Sequence, residues 1–132
     1  MTRFLNSCTV KGPAEQHFVN EINTALSHNI SCVLAGCVTQ ASGTKFLAKF
    51  KQTEKTVLSI IGVEQIDRIV EIANQTLMGN SISYLTKSKG KARRPKLDMP
   101  KIRRNKLIEI ISINSGCLNS CTYCKTKEKF LN

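Results

Sequence analysis

No run of eighteen or more apolar residues occurs in this 132-residue sequence, which therefore offers no membrane-spanning helix. The N-terminus, Met-Thr-Arg-Phe-Leu-Asn-Ser-Cys, carries one positive charge and lacks the apolar core that a secretory signal needs. There is no internal repeat, no glycine-rich phosphate loop and no Ser–His–Asp arrangement on which a hydrolytic triad could be argued. Histidine is scarce, and His17 and His28 lie eleven residues apart on or beside one helical stretch. That spacing is three helical turns, roughly 16 Å along the axis, too far apart for joint ligands, so both read as surface or packing residues. These absences point to an intracellular, reducing setting. There, six cysteines bind metal or sit in a core more readily than they form disulfides.

Acidic residues are also few, nine against twenty basic ones, for a net charge of +11. The imbalance is local. Between Asn80 and Lys106 there are ten Lys or Arg and one acid, Asp98, so that segment supplies +9 of the total. A concentrated positive segment suits a polyanionic partner bound through phosphates, and equally suits a solvated linker.

The first eighty residues alternate short apolar runs with helical periodicity. Arg3–Cys8 reads as the end of a strand. From Pro13, Ala14, Phe18, Ile22 and Leu26 form a helical stripe, with Val19 and Ala25 beside it. Ser31–Cys37 suits a buried parallel strand, Lys45–Phe50 a short helix and Val57–Gly62 another strand. Glu64–Gly79 predicts a helix with Ile66, Ile69, Val70, Ala73 and Leu77 on one face and Gly79 as its C-cap. Strand and helix alternating in this way predict an α/β domain with a parallel sheet over residues 1–79. Functional groups in such sheets gather at the carboxyl ends of strands, where Cys8 and Cys37 both fall. Residues 80–106, with Gly90, Pro95 and Pro100 among the charges, read as a basic linker. Leu107–Asn114 predicts a strand that opens a second domain over residues 107–132.

That strand leads into Asn-Ser-Gly-Cys-Leu-Asn-Ser-Cys-Thr-Tyr-Cys, with cysteines at 117, 121 and 124. Three thiolates from one loop satisfy three irons of a cubane [4Fe–4S] cluster and leave the fourth open to a small molecule. A structural zinc site wants four ligands, and no Cys or His follows Cys124. Zinc remains open only if Cys8, Cys37, His17 or His28 folds across to serve it. A core role suits these cysteines poorly, since Asn119, Ser120 and Lys125 flank them.

Cys-x-x-x-Cys-x-x-Cys, with Tyr123 before the last cysteine, resembles the radical S-adenosylmethionine signature. The resemblance implies that Cys117, Cys121 and Cys124 hold a cluster whose open iron chelates S-adenosylmethionine, with Tyr123 packing beside it. One electron then cleaves that cofactor to a radical that abstracts a hydrogen. Leu-Asn-Ser-Cys-Thr-Val-Lys-Gly-Pro-Ala-Glu-Gln followed by Val-Leu-Ala-Gly-Cys-Val-Thr-Gln is similar to the N-terminal domain of methylthiotransferases. Three separated cysteines of that domain bind an auxiliary [4Fe–4S] cluster implicated in sulfur delivery. Cys8 matches the second of those ligands and Cys37 the third. Together with Ser59–Ile72 and Pro100–Lys127, these blocks look most like the eukaryotic and archaeal threonylcarbamoyladenosine tRNA methylthiotransferase family.

The resemblance implies a tRNA substrate, two clusters, S-adenosylmethionine, an electron donor, and methylthiolation of C2 of a modified adenosine beside the anticodon. An isopentenyladenosine-type enzyme is the alternative within the superfamily, and a non-catalytic RNA- or protein-binding module the alternative outside it. The expected fold is a truncated parallel-sheet N-terminal domain followed by the first strand and cluster loop of a radical S-adenosylmethionine barrel. The first auxiliary ligand is expected upstream of Cys8. Cys32, five residues before Cys37 and so roughly 16 Å away along a strand, is expected to be a core residue. The rest of the barrel is expected beyond Asn132, so the chain reads as a fragment, inactive alone. Its expected compartment is the cytosol, with the animal parent anchored at the endoplasmic reticulum.

Overall fold

The computed structural model of the chain describes residues 1–8, 12–50, 55–85, 102–111 and 121–122. Four parallel strands form one sheet in the order β1-β2-β3-β4. They are β1 (Thr2–Ser7), β2 (Ser31–Gly36), β3 (Leu58–Ile61) and β4 (Ser83–Tyr84). The connections carry α1 (Gly12–Ser27), α2 (Cys37–Ser42) running into a 3-10 segment (Gly43–Lys49), and α3 (Ile69–Leu77) preceded by a 3-10 turn (Val63–Arg68). The α/β class with a parallel sheet is therefore as expected.

Alternation along β2 explains the two layers. Cys32 and Leu34 point to one face, where Phe18, Ile22 and Ala25 of α1 meet Leu58, Val38, Phe46 and Phe50. Val33 and Ala35 point to the other, where Ile72 of α3 and Ile61 close a smaller cluster. With helices on both faces, nearly every β2 side chain is buried, which is why its sequence is a continuous apolar run. Each fully buried aliphatic or aromatic side chain here contributes about 1.5–3 kcal/mol.

One element is additional and two expectations need correction. Val-Thr-Gln-Ala-Ser, for which the sequence predicts no element, lies in α2 and is held by neighbours outside its own sequence. The predicted face of α3 is rotated: Ile72 and Thr76 are buried, whereas Val70 and Leu77 are 68% and 60% exposed. Gln65, at φ −108° and ψ 18°, breaks the helical phase, and Thr76 Oγ1 turns inward to donate to Ser59 Oγ at 2.7 Å. Lastly, Leu107–Ile111 forms no strand, and Leu107, Ile108, Ile110 and Ile111 are all exposed. A strand needs a neighbouring ladder, and among the described residues nothing pairs with it. The barrel strand predicted there thus has no counterpart over 107–111, and residues 112–114 lie outside the described ones.

The sheet also gains β4, which follows the Schellman end of α3. Gly79 sits at φ +88°, its N–H donates to Thr76 O (3.1 Å), and the Asn80 N–H donates to Gln75 O (3.0 Å).

Cys32 is fully buried, and burial pushes its thiol from an ordinary 9.0 to about 11, with Arg3 opposing weakly. The folded state thus holds this proton more tightly than the unfolded chain. The resulting stability is complete below pH 9 and is lost as pH rises toward 11. Urea denaturation between pH 8 and 11 should show a steeper loss in the parent than in Cys32→Ala; parallel profiles would contradict the assignment.

Candidate functional site at the carboxyl rim of the sheet

The last register pair of β1 and β2 is Ser7 with Gly36, and the next residues are Cys8 and Cys37. Each cysteine thus follows directly on one member of that last pair, where the backbone leaves two adjacent strands of the sheet. Cys8 is exposed and Cys37 partly so, and neither is in a disulfide.

The rim is built by side chains and by two glycines. Gly36 turns out of the sheet at φ +97°, so close to β1 that a Cβ there would meet the Ser7 carbonyl and the Asn6 amide oxygen. Ser7 Oγ donates to Ala35 O at 2.6 Å and accepts from the Val38 N–H at 3.1 Å. Thr39 Oγ1 donates to Gly36 O at 2.9 Å. Gln40 Oε1 accepts from the Val63 N–H at 3.2 Å, which ties the cysteine-bearing turn to the end of β3.

At the outer end of the same rim, Gly62 N–H donates to Tyr84 O at 2.7 Å. Arg68 makes a forked pair with Glu71 at 2.8 Å for both bonds and lies 4.0 Å above the Tyr84 ring. Tyr84 OH donates to Glu71 at 2.8 Å. The hydrogen bond to Glu71 raises Arg68, the bond from Arg68 lowers Glu71, and the bond to Glu71 raises Tyr84. This exposed triad fastens α3 to β4.

Of the sequence candidates, Cys8 and Cys37 each lie one residue past the last register pair of β1 and β2. Cys32 lies at the opposite end of β2, paired with Arg3, inside the core as expected. His17 and His28 are both exposed. Cys121 is partly buried, whereas Cys117, Tyr123 and Cys124 lie outside the described residues. Among the described residues no three His, Cys, Asp or Glu side chains group to hold a metal, and no helix is long and apolar enough to cross a membrane. Sequence reasoning missed Ser7 and Thr39, whose spacing to the cysteines carries no signal. It noticed Gln40 without a role for it.

Comparison with known proteins places this geometry in context. No protein-family profile matches the chain, and no solved structure matches it. A human protein named threonylcarbamoyladenosine tRNA methylthiotransferase is 56% identical over 126 residues, covering 93% of this chain and 21% of that protein. The Drosophila melanogaster protein of the same name is 51% identical over 127 residues, 93% of this chain and 22% of its own length. A Pyrococcus horikoshii protein named as a probable enzyme of this kind is 31% identical over 123 residues, 93% of this chain and 27% of its own. By this similarity the chain belongs to the threonylcarbamoyladenosine tRNA methylthiotransferase family and spans about a fifth of the length of the animal relatives it matches.

Proposed function

We propose that this chain carries thiol ligands for two iron–sulfur clusters of a tRNA-modifying methylthiotransferase. The reaction, proposed for a protein of the relatives' full length, converts a threonylcarbamoyl-modified adenosine beside the anticodon to its 2-methylthio form. The observation that supports it most is the 56% identity, over 93% of the chain, to a protein bearing that name.

Cys117, Cys121 and Cys124 would hold the cluster that binds S-adenosylmethionine, with Tyr123 beside it. Cys8 and Cys37 would supply two ligands of the auxiliary cluster. The rim fits that assignment: two thiols without a disulfide, at least one of them open to solvent, leave adjacent strand ends in register. When bound, these groups supply electron transfer to S-adenosylmethionine and a source of sulfur. The chain's own part is to fix the thiols. Ser7 and Thr39 hold the turn that bears Cys37, and Gln40 braces it against β3. The basic residues between Asn80 and Lys106 would meet tRNA phosphates, which makes binding salt-dependent.

Anaerobic iron–sulfide reconstitution tests the reading. About four irons with matching sulfide should disappear in the Cys117→Ser, Cys121→Ser, Cys124→Ser triple variant. An electron paramagnetic resonance signal of the reduced chain should change when S-adenosylmethionine is added. Zinc without sulfide would instead indicate a structural metal module. RNA binding with no metal at all would indicate a non-catalytic one.

A further inference from the structure

The β1–β2 ladder ends at Ser7 and Gly36, one residue short of both cysteines. There Gly36 swings out of the sheet, at φ +97° and ψ −162°. A helix that starts here leaves its first N–H groups without intrahelical partners, and Gly36, as the N-cap of α2, makes no side-chain cap bond. Ser7 fills that role from the neighbouring strand. Its hydroxyl accepts from Val38 N–H, the second residue of α2, and donates to Ala35 O, so one oxygen brackets Gly36 and Cys37 from both sides. Ser7 is only 6% exposed. Water cannot readily replace it, and losing the hydroxyl removes two buried hydrogen bonds at once.

We propose that Ser7 is a positioning residue for the Cys8–Cys37 thiol pair. Its hydroxyl clamps the residue before Cys8 to the two residues that flank the Gly36–Cys37 turn, and so sets the separation and relative direction of the two thiols. This rests on the reading of Cys8 and Cys37 as joint ligands. It adds that the spacing is imposed by a side chain of the strand and does not arise only when a metal group binds.

The test needs no metal. In the full chain carrying Cys117→Ser, Cys121→Ser and Cys124→Ser, dibromobimane becomes fluorescent when it bridges two thiols, and Cys32 is buried away from it. The parent should bridge Cys8 to Cys37 rapidly, with the link verified by peptide mapping. Ser7→Ala should slow bridging by about tenfold or more, since a misplacement of about 1 Å between reacting groups can cost about a hundredfold. Ser7→Thr, which keeps the hydroxyl, should restore most of the rate. Thr76→Val loses a buried hydroxyl on α3 and serves as the matched loss of stability; it should bridge like the parent. Working at low temperature in sucrose keeps a weakened variant folded, and circular dichroism verifies it.

Equal rates in the parent and Ser7→Ala would overturn the proposal. So would an equal slowing in Thr76→Val, or a parent that does not bridge. The cluster reading fails separately: if bridging behaves as described but Cys8→Ser and Cys37→Ser leave the iron count of the reconstituted chain unchanged, Ser7 positions two thiols that hold no iron.

Discussion

Gly36→Val is expected to prevent folding of the sheet, and Gly36→Ala to destabilise it by about 3 kcal/mol or more. Two independent costs meet at this position. The backbone sits at φ +97° and ψ −162°, a region open in practice to glycine alone. A Cβ would also stand 2.8 Å from the Ser7 nitrogen and 2.6 Å from Asn6 Oδ1, besides striking the Ser7 carbonyl. The Ser7 atoms belong to a backbone already held in the ladder, so relief requires moving β1 away from β2. For a domain of this size 3 kcal/mol lowers the melting temperature by roughly 12–24 °C. Gly62→Ala is the instructive contrast. Gly62 has an ordinary φ of −76°, and the atoms a Cβ would meet are side-chain oxygens of Gln40 and Gln65, which can swing aside. Its cost should be about 1 kcal/mol. Thermal melts of both variants decide the matter; a Gly36→Ala protein that melts within a few degrees of the parent would refute the account of the rim.

The second large effect is expected at Phe46→Ala, about 3–5 kcal/mol. Phe46 is 1% exposed, stacks on Phe18 at 5.8 Å and meets Phe50 edge-on at 5.2 Å. Deleting the ring removes its own burial and both aromatic contacts, each worth about 0.5–1.5 kcal/mol beyond area. It also leaves a cavity between α1 and the 3-10 segment that the sheet cannot collapse to fill. Phe4→Ala is the internal comparison: this ring is 48% exposed and should cost well under half as much. Urea titrations that rank Phe4→Ala at or above Phe46→Ala would show that the core has been wrongly located.

Much of this was legible in the sequence because local pattern and tertiary environment agree. The stripe Phe18, Ile22, Ala25 is the buried face of α1, and the unbroken apolar run of β2 is what burial on both faces requires. Gly79 announced the end of α3 by chemistry that only a left-handed residue provides. The misses share a cause: the deciding partner was distant in sequence. Thr76 faces inward because Ser59 waits on β3, and that rotates α3 away from the stripe its own residues suggest. The polar stretch after Cys37 is helical because Ser7 caps it from 31 residues away. Leu107–Ile111 is apolar enough for a strand, yet apolarity cannot supply the neighbour that a ladder needs. At the site, the predicted strand ends singled out Cys8 and Cys37, but nothing in composition distinguishes Ser7 from an ordinary strand serine.

β1 is the outermost strand, and among the described residues only β2 pairs with it. Anything that joins Cys8 to Cys37 closes a loop of about 30 residues, a constraint worth some 3–4 kcal/mol when it is covalent. It does so at the margin of the sheet, where fraying would otherwise begin. An open strand flank with Phe4 half exposed beside it is adhesive. A link between the two thiols would therefore also hem the sheet, and a chain without it would fray first at β1.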